Sequence, residues 1–233
     1  MPALANLAHG QPGWVHPGAA PLAAEHASLG GGLVNVTETY FGIASGDFHF
    51  QESAGALAQG TWAPVDRLLV TGAGGVLLLD LEYPIPFGVL GLRWNLIESE
   101  HWNLGVFADG GVGPRPQWAV TAGVAVEGGG ERVRLDASLP LTALWRGPTA
   151  KCGSCDPWDS YTFFPPWLAP LLGEAGVSLA LGEQDALRLG TTYLLPNLRW
   201  RHAWEDWYLD SALGIAPGYR FSEVLLVEGG RRW

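Results

Sequence analysis

Charged residues in this chain recur at intervals of two. Arg132, Arg134 and Asp136 share one parity, as do Arg199 and Arg201, and Asp80 and Glu82. In an extended chain residues i and i+2 project from the same face, so this spacing gathers each group on one side of a strand. Arg93, Asp109, Glu127, Arg188 and Asp210 stand singly, each on the polar parity of its own alternating stretch. The signs are mixed. Such a set can pair into an ion network that holds a shape, or line a narrow watery passage whose arginines attract anions. The pairing role weighs more.

Other chemistry is sparse. Cys152 and Cys155 form a CxxC. Zinc wants four ligands, and no second CxxC or paired His follows. Thioredoxin-type chemistry wants the motif at the start of a helix, and this neighbourhood is a proline-rich loop. A short disulfide in an exported loop is the reading that remains. His26-Ala27-Ser28 would put a His and a Ser on one face of a strand, as would His49 and Ser53, but no orienting acid accompanies either pair. His101 sits beside a turn. His202 falls on the apolar face between Trp200 and Trp204, which suits an interfacial belt. There is no nucleophile elbow, phosphate loop or metal cluster, so no catalytic residue, metal or cofactor is expected. Trp158, Tyr161, Phe163 and Trp167, in one long loop, could stack on a sugar or partner, or fold into a barrel mouth as a plug.

Composition narrows the class. The chain has 233 residues, enough for one domain, and a net charge of −10, which argues against nucleic acid. About half of the residues are apolar, yet no uncharged run approaches the roughly 20 that a membrane helix needs. The 33 glycines and 12 tryptophans, against 13 basic residues, suit closely packed strands and aromatic girdles. Met1 to Gly10 has no basic region ahead of its Ala/Leu-rich stretch, so it is not a complete secretory signal.

The elements that must carry the charges are period-two strands. From Phe87 to Ala143 four of them follow one another, each of roughly ten residues and each closed by a turn signal. Leu90, Leu92, Trp94 and Leu96 alternate with Gly91, Arg93 and Asn95; Trp102, Leu104 and Val106 with Asn103, Gly105 and Asp109. Trp118 to Val126 and Val133 to Leu141 repeat the pattern. An antiparallel sheet with a continuous apolar face and charges on the other reads as a transmembrane barrel wall. Ahead of this meander, strands are expected at Ala27–Ile43, Phe48–Trp62 and Leu68–Tyr83. In the last of these Leu77, Leu79 and Leu81 take the apolar face, and Pro84-Ile85-Pro86 ends it. Residues 144–173 break the rhythm as a long outer loop. Five strands follow, with a phase shift at Pro196-Asn197, and the chain ends in Trp233. The total is twelve, or ten if that shift is only a bulge and the tail is not a strand. An even count puts both termini on the short-turn side.

The meander, the inward charges and the aromatic C-terminus resemble the broad class of Gram-negative outer-membrane β-barrel proteins, over about residues 27–233. The resemblance implies an outer-membrane location and an all-β, closed antiparallel barrel, but no activity. In that class the last strand alternates up to a final aromatic residue, whereas Glu228-Gly229-Gly230-Arg231-Arg232 interrupts the alternation before Trp233. The expected organisation is a loose arm over residues 1–25 and one barrel domain over 26–233. The expected role is a non-enzymatic small pore or structural barrel in a lipid bilayer, with a small solute or surface ligand as possible partner. A soluble or periplasmic all-β binding protein and an outer-membrane lipid hydrolase are the alternatives.

The face assignment is testable. Leu135→Arg puts a charge on the outward, lipid-facing parity and should impair membrane assembly. Ser138→Arg, on the inward parity, should impair membrane assembly far less; equal effects on the folded, membrane-extracted fraction would contradict the assignment.

Overall fold

The computed structural model describes residues 27–42, 47–79, 82–99, 101–113, 117–130, 132–146, 161–164, 173–192, 195–216 and 221–233. Among them every element is a strand or a turn. In chain order the strands are β1 (Ala27–Gly42), β2 (Asp47–Val65), β3 (Leu68–Leu79), β4 (Tyr83–Glu98), β5 (Trp102–Gly113), β6 (Gln117–Gly129), β7 (Val133–Arg146), β8 (Tyr161–Phe164), β9 (Glu174–Ala180), β10 (Asp185–Thr192), β11 (Leu195–Trp204), β12 (Trp207–Ala216) and β13 (Phe221–Arg232).

Each strand pairs antiparallel with its sequence neighbours, β6 with β7 and β7 with β9, and β1 pairs with β13. Twelve strands therefore close a ring. The four-residue β8 stands outside it and, among the described residues, pairs only with Ala143–Arg146 of β7. Ala27 and Trp233 donate to each other's carbonyls at 3.1 and 2.8 Å, so the start of β1 and the end of β13 meet on the side of the short turns. These turns include Asp66-Arg67 and Glu205-Asp206, the latter with Glu205 at φ 49°. The long loop leaves β7 at the opposite end.

Side chains sort as the alternation requires. Leu90, Leu92, Trp94, Leu135, Leu139 and Leu213 are exposed on the outer surface, while Phe107, Asp109, Thr121 and Ser138 are buried inside. Six exposed tryptophans, Trp62, Trp94, Trp102, Trp204, Trp207 and Trp233, cluster toward the short-turn end, where an interfacial girdle belongs. Bulges shift the phase locally. Between Asn95 and Ile97 the register slips, so Leu96 and Ile97 both face outward and Glu98 returns to the interior.

Four sequence expectations are corrected. Leu77 is 1% exposed and faces inward, while Val76 and Leu78 take the outer face; three consecutive leucines after a glycine-rich stretch give no parity to read. Pro84-Ile85-Pro86 does not end a strand but opens β4, pairing with Leu78, Leu77 and Val76. Among the described residues β4 pairs with β5 only from Gly88 onward, so on that edge the prolines' missing N–H groups leave no ladder bond unmade. Pro196-Asn197 lies within β11, and β10 and β11 pair without a slip up to Thr192 and Leu195. The final strand runs unbroken to Arg232, with Glu228 and Gly230 inward.

Glycines in the inner rows make room for large neighbours. Phe87 lies over Gly75 and Leu77 over Gly55, where added Cβ atoms would come within 3.0 Å of Phe87 Cζ and 3.1 Å of Leu77 Cδ1. A Cβ at Gly230 would lie 2.6 Å from Tyr208 Cζ, whereas one at Gly229 would meet nothing closer than 3.6 Å. Gly230→Ala should therefore cost about 1–3 kcal/mol through overpacking and lower the temperature at which the folded form is lost in heat-modifiable gel migration. Gly229→Ala should leave that temperature nearly unchanged.

Candidate functional site: the ion-paired interior

On β10, Arg188 projects inward and lies along the wall across Gly176, where a Cβ would come within 2.7 Å of its guanidinium. This trough lets it reach β7. Nε donates to Asp136 Oδ1 at 3.0 Å and Nη2 to Oδ2 at 2.6 Å. Nη1 donates to Asn197 Oδ1 at 3.1 Å, and Glu174 lies 3.9 Å away. The fork is fully engaged, which is what a planar guanidinium does best.

A second cluster sits on β11 and β12. Arg199 grips Asp210 through Nε at 3.1 Å and Nη2 at 2.5 Å. Arg201 reaches the same carboxylate through Nε at 3.1 Å and through Nη2, and its guanidinium carbon is 5.1 Å from the Tyr208 ring centroid. Tyr208 in turn donates to Glu228 Oε1 at 2.6 Å, and Gln59 donates to Glu228 Oε2. These groups are almost wholly buried: Asp210 and Glu228 are each 1% exposed.

The third group opens toward the short-turn end. Arg134 donates to Glu127 at 3.2 Å. Arg93 donates to Asn95 at 3.0 Å, and Asn95 to Glu98 at 2.9 Å, with Arg67 of the turn 4.0 Å from Glu98. Side-chain exposure falls from 27% at Arg134 and 20% at Glu98, through 18% at Asp136 and 17% at Glu127, to 2% at Arg188. Solvent thus reaches the charged interior from the short-turn end and no longer reaches it at Arg188.

Of the twelve charged residues expected to share the lumen, Arg93, Glu127, Arg134, Asp136, Arg188, Arg199, Arg201 and Asp210 all lie inside with a bonded neighbour. Asp109 also lies inside, 4% exposed, and among the described residues its Oδ1 has no partner. Glu82 and Arg132 do not join them. Both are exposed at turns, because the strands end before reaching them. Asp80, Cys152, Cys155, Trp158 and Trp167 lie outside the described residues. Tyr161 and Phe163 belong to β8, and only their backbone is described. Sequence reasoning missed Glu174, Tyr208 and Glu228 as interior partners. The first two stood on the polar parity of their strands, a usable signal, whereas Glu228 was hidden by the glycine pair after it. Among the described inner side chains, Arg93, Arg134, Arg188, Arg199 and Arg201 face seven carboxylates: Glu98, Asp109, Glu127, Asp136, Glu174, Asp210 and Glu228.

Of the two His/Ser pairings, His26 lies outside the described residues and only the backbone of His49 is described. Ser28 Oγ shares a 2.7 Å hydrogen bond with Thr61. His202 is on the outer face, its ring 6.0 Å from Trp200 and 5.4 Å from Trp204, with Nδ1 3.0 Å from Asp185.

No family model matches the sequence, and no curated protein does. Solved structures do. An outer membrane channel from Pseudomonas putida F1 superimposes with a TM-score of 0.59 at 14% identity, over 94% of this chain and 100% of that one. The translocator domain of the autotransporter NalP from Neisseria meningitidis gives 0.50 at 11% identity, over 99% and 92%. The chain has the fold of outer-membrane β-barrel proteins: a closed antiparallel barrel of twelve strands.

Removing Asp210 alone would leave Arg199 and Arg201 side by side in a buried site. Asp210→Ala should cost roughly 3–5 kcal/mol, while replacing all three with leucine should cost far less, because no unpaired charge remains. Thermal unfolding of the two variants in detergent checks the difference; equal losses would mean that the pairs are not what the site depends on.

Proposed function

We propose that the protein is an integral outer-membrane barrel that acts as a narrow pore for small solutes, its wall braced from within by ion pairs. The observation that carries this reading is the pairing of an apolar outer belt with a charged interior that opens at one end. Large apolar side chains exposed around a closed wall need lipid to cover them. A soluble binding protein would need a second layer over the same face, and no described element lies there. The solvent-reached charges at the short-turn end, from Arg134 and Glu98 to Asp136, support a pore entrance there. The likeness in fold to an outer membrane channel agrees with this and, at 14% identity, adds only the fold. Twelve strands stand between the eight that side chains fill and the sixteen or more that leave an open channel, which fits a constricted passage.

The packing of Arg199, Arg201, Asp210 and Glu228 favours a second reading, a sealed structural barrel. Planar-bilayer recording distinguishes the two. The purified, heat-modifiable protein should give discrete steps in KCl, smaller than those of a sixteen-stranded porin. Arg188→Ala, which removes the side chain where solvent no longer reaches, should enlarge them several-fold. A heat-modifiable protein that gives no steps would overturn the pore and leave the sealed barrel.

A further inference from the structure

We infer that the solutes of this barrel are small organic cations carrying an apolar body. The inference rests on the pore reading and names the class of molecule that the interior fits.

The inner wall changes character along its axis. From the short-turn end, the inner row of β4 runs Glu98, Asn95 and Arg93, then Gly91, Val89 and Phe87. On β13 Gly230 and Glu228 give way to Leu226, and on β1 Ser28, Gly30 and Gly32 give way to Val34. Val34 and Leu226 are direct cross-strand partners. Leu77 and Phe87, lying over their glycines, extend this into an apolar patch on β13, β1, β3 and β4 beyond the charged chamber. A solute passing against that patch loses water there, which an alkyl or aryl group does more readily than a sugar.

Charge selects the other end of the molecule. The described interior has two more carboxylates than arginines, and one of these, Asp109, stands opposite Gly91, where the inner row of β4 passes from Arg93 to Val89. It is 4% exposed and, among the described residues, its Oδ1 has no partner. The arginines of β10 and β11 have carboxylate partners of their own: Arg188 pairs with Asp136, and Arg199 and Arg201 with Asp210. Of its two cross-strand partners, Gly91 on β4 has no side chain and Thr121 on β6 is buried beside it. Ser138, 8% exposed and paired across the sheet with Glu174, also has a buried hydroxyl without a partner among the described residues. A bare ammonium entering here would bring three donors to these unpartnered oxygens. Phe107, two residues from Asp109 on the same face and so roughly 7 Å along the strand, is buried beside it and offers an aromatic surface to the apolar body.

The test compares entry of phenethylammonium and phenylacetate, ions of similar size and opposite charge, into proteoliposomes whose KCl conductance is recorded in parallel. Phenethylammonium should enter several-fold faster, and Asp109→Asn, shown to be folded by heat-modifiable migration, should shrink that ratio several-fold. Glu174→Gln should reduce it as well and serves if Asp109→Asn does not fold. A wild-type barrel that conducts KCl but passes both ions equally would overturn the solute class alone. A ratio unchanged by either substitution would overturn the acidic selector. A barrel that conducts nothing would overturn the pore reading and this inference together.

Discussion

Lipid offers no hydrogen bonds. Every backbone N–H and C=O that crosses the hydrocarbon must find its partner within the chain, and a sheet satisfies that demand only by closing on itself. The ladder between β1 and β13, twelve paired positions from Ser28–Arg232 to Thr39–Phe221, is where closure is achieved. The rest of the molecule follows from it. Closure fixes an even number of strands, brings Ala27 against Trp233, and commits one parity of every strand to lipid and the other to a confined interior.

That confined interior is where the charges find a use. Ionised groups on the outer face would lie in hydrocarbon; inside they meet one another. Arg199, Arg201 and Arg134 meet carboxylates on adjacent strands, while Arg188 lies flat over Gly176 and spans from β10 to β7, which is not its neighbour. Such spans tie β10 to β7 and, through Glu228, β2 to β12. They act across the ring, where the ladders act along it. The tryptophans at the short-turn end hold the outside in register with the bilayer surface in the same sense that the ion pairs hold the inside in shape.

Much of this was legible in the alternation alone. Strands β4 to β7 carry large apolar residues on one parity and polar ones on the other, so their faces could be assigned residue by residue, and most of the charged cluster followed from parity. Legibility failed where side chains are small or uniform. In β3, Gly72, Gly74 and Gly75 carry no signal and Leu77, Leu78 and Leu79 are the same residue on both faces, so the parity was inverted. In β13 the pair Gly229-Gly230 resembled a break because a glycine under Tyr208 cannot be told from a glycine in a turn. The partnerships were harder still. Which arginine meets which carboxylate depends on strand stagger, and Arg188 reaches Asp136 from 52 positions away.

The β1–β13 seam also has a consequence for how the chain acquires its form. Nearly all other ladders join strands that are close in sequence, and those can zip locally as hairpins, with little entropy lost in closing short loops. The seam joins residues about as far apart in the chain as it is possible to be. It must therefore form last, and until it does the sheet carries two open edges, at β1 and β13, that invite pairing with any other strand. Both edges are rich in glycine where they meet, with Gly30 opposite Gly230 and Gly31 opposite Gly229, so little side-chain bulk stands in the way. The join that makes the barrel watertight is thus the slowest to form and the least obstructed once its partners arrive.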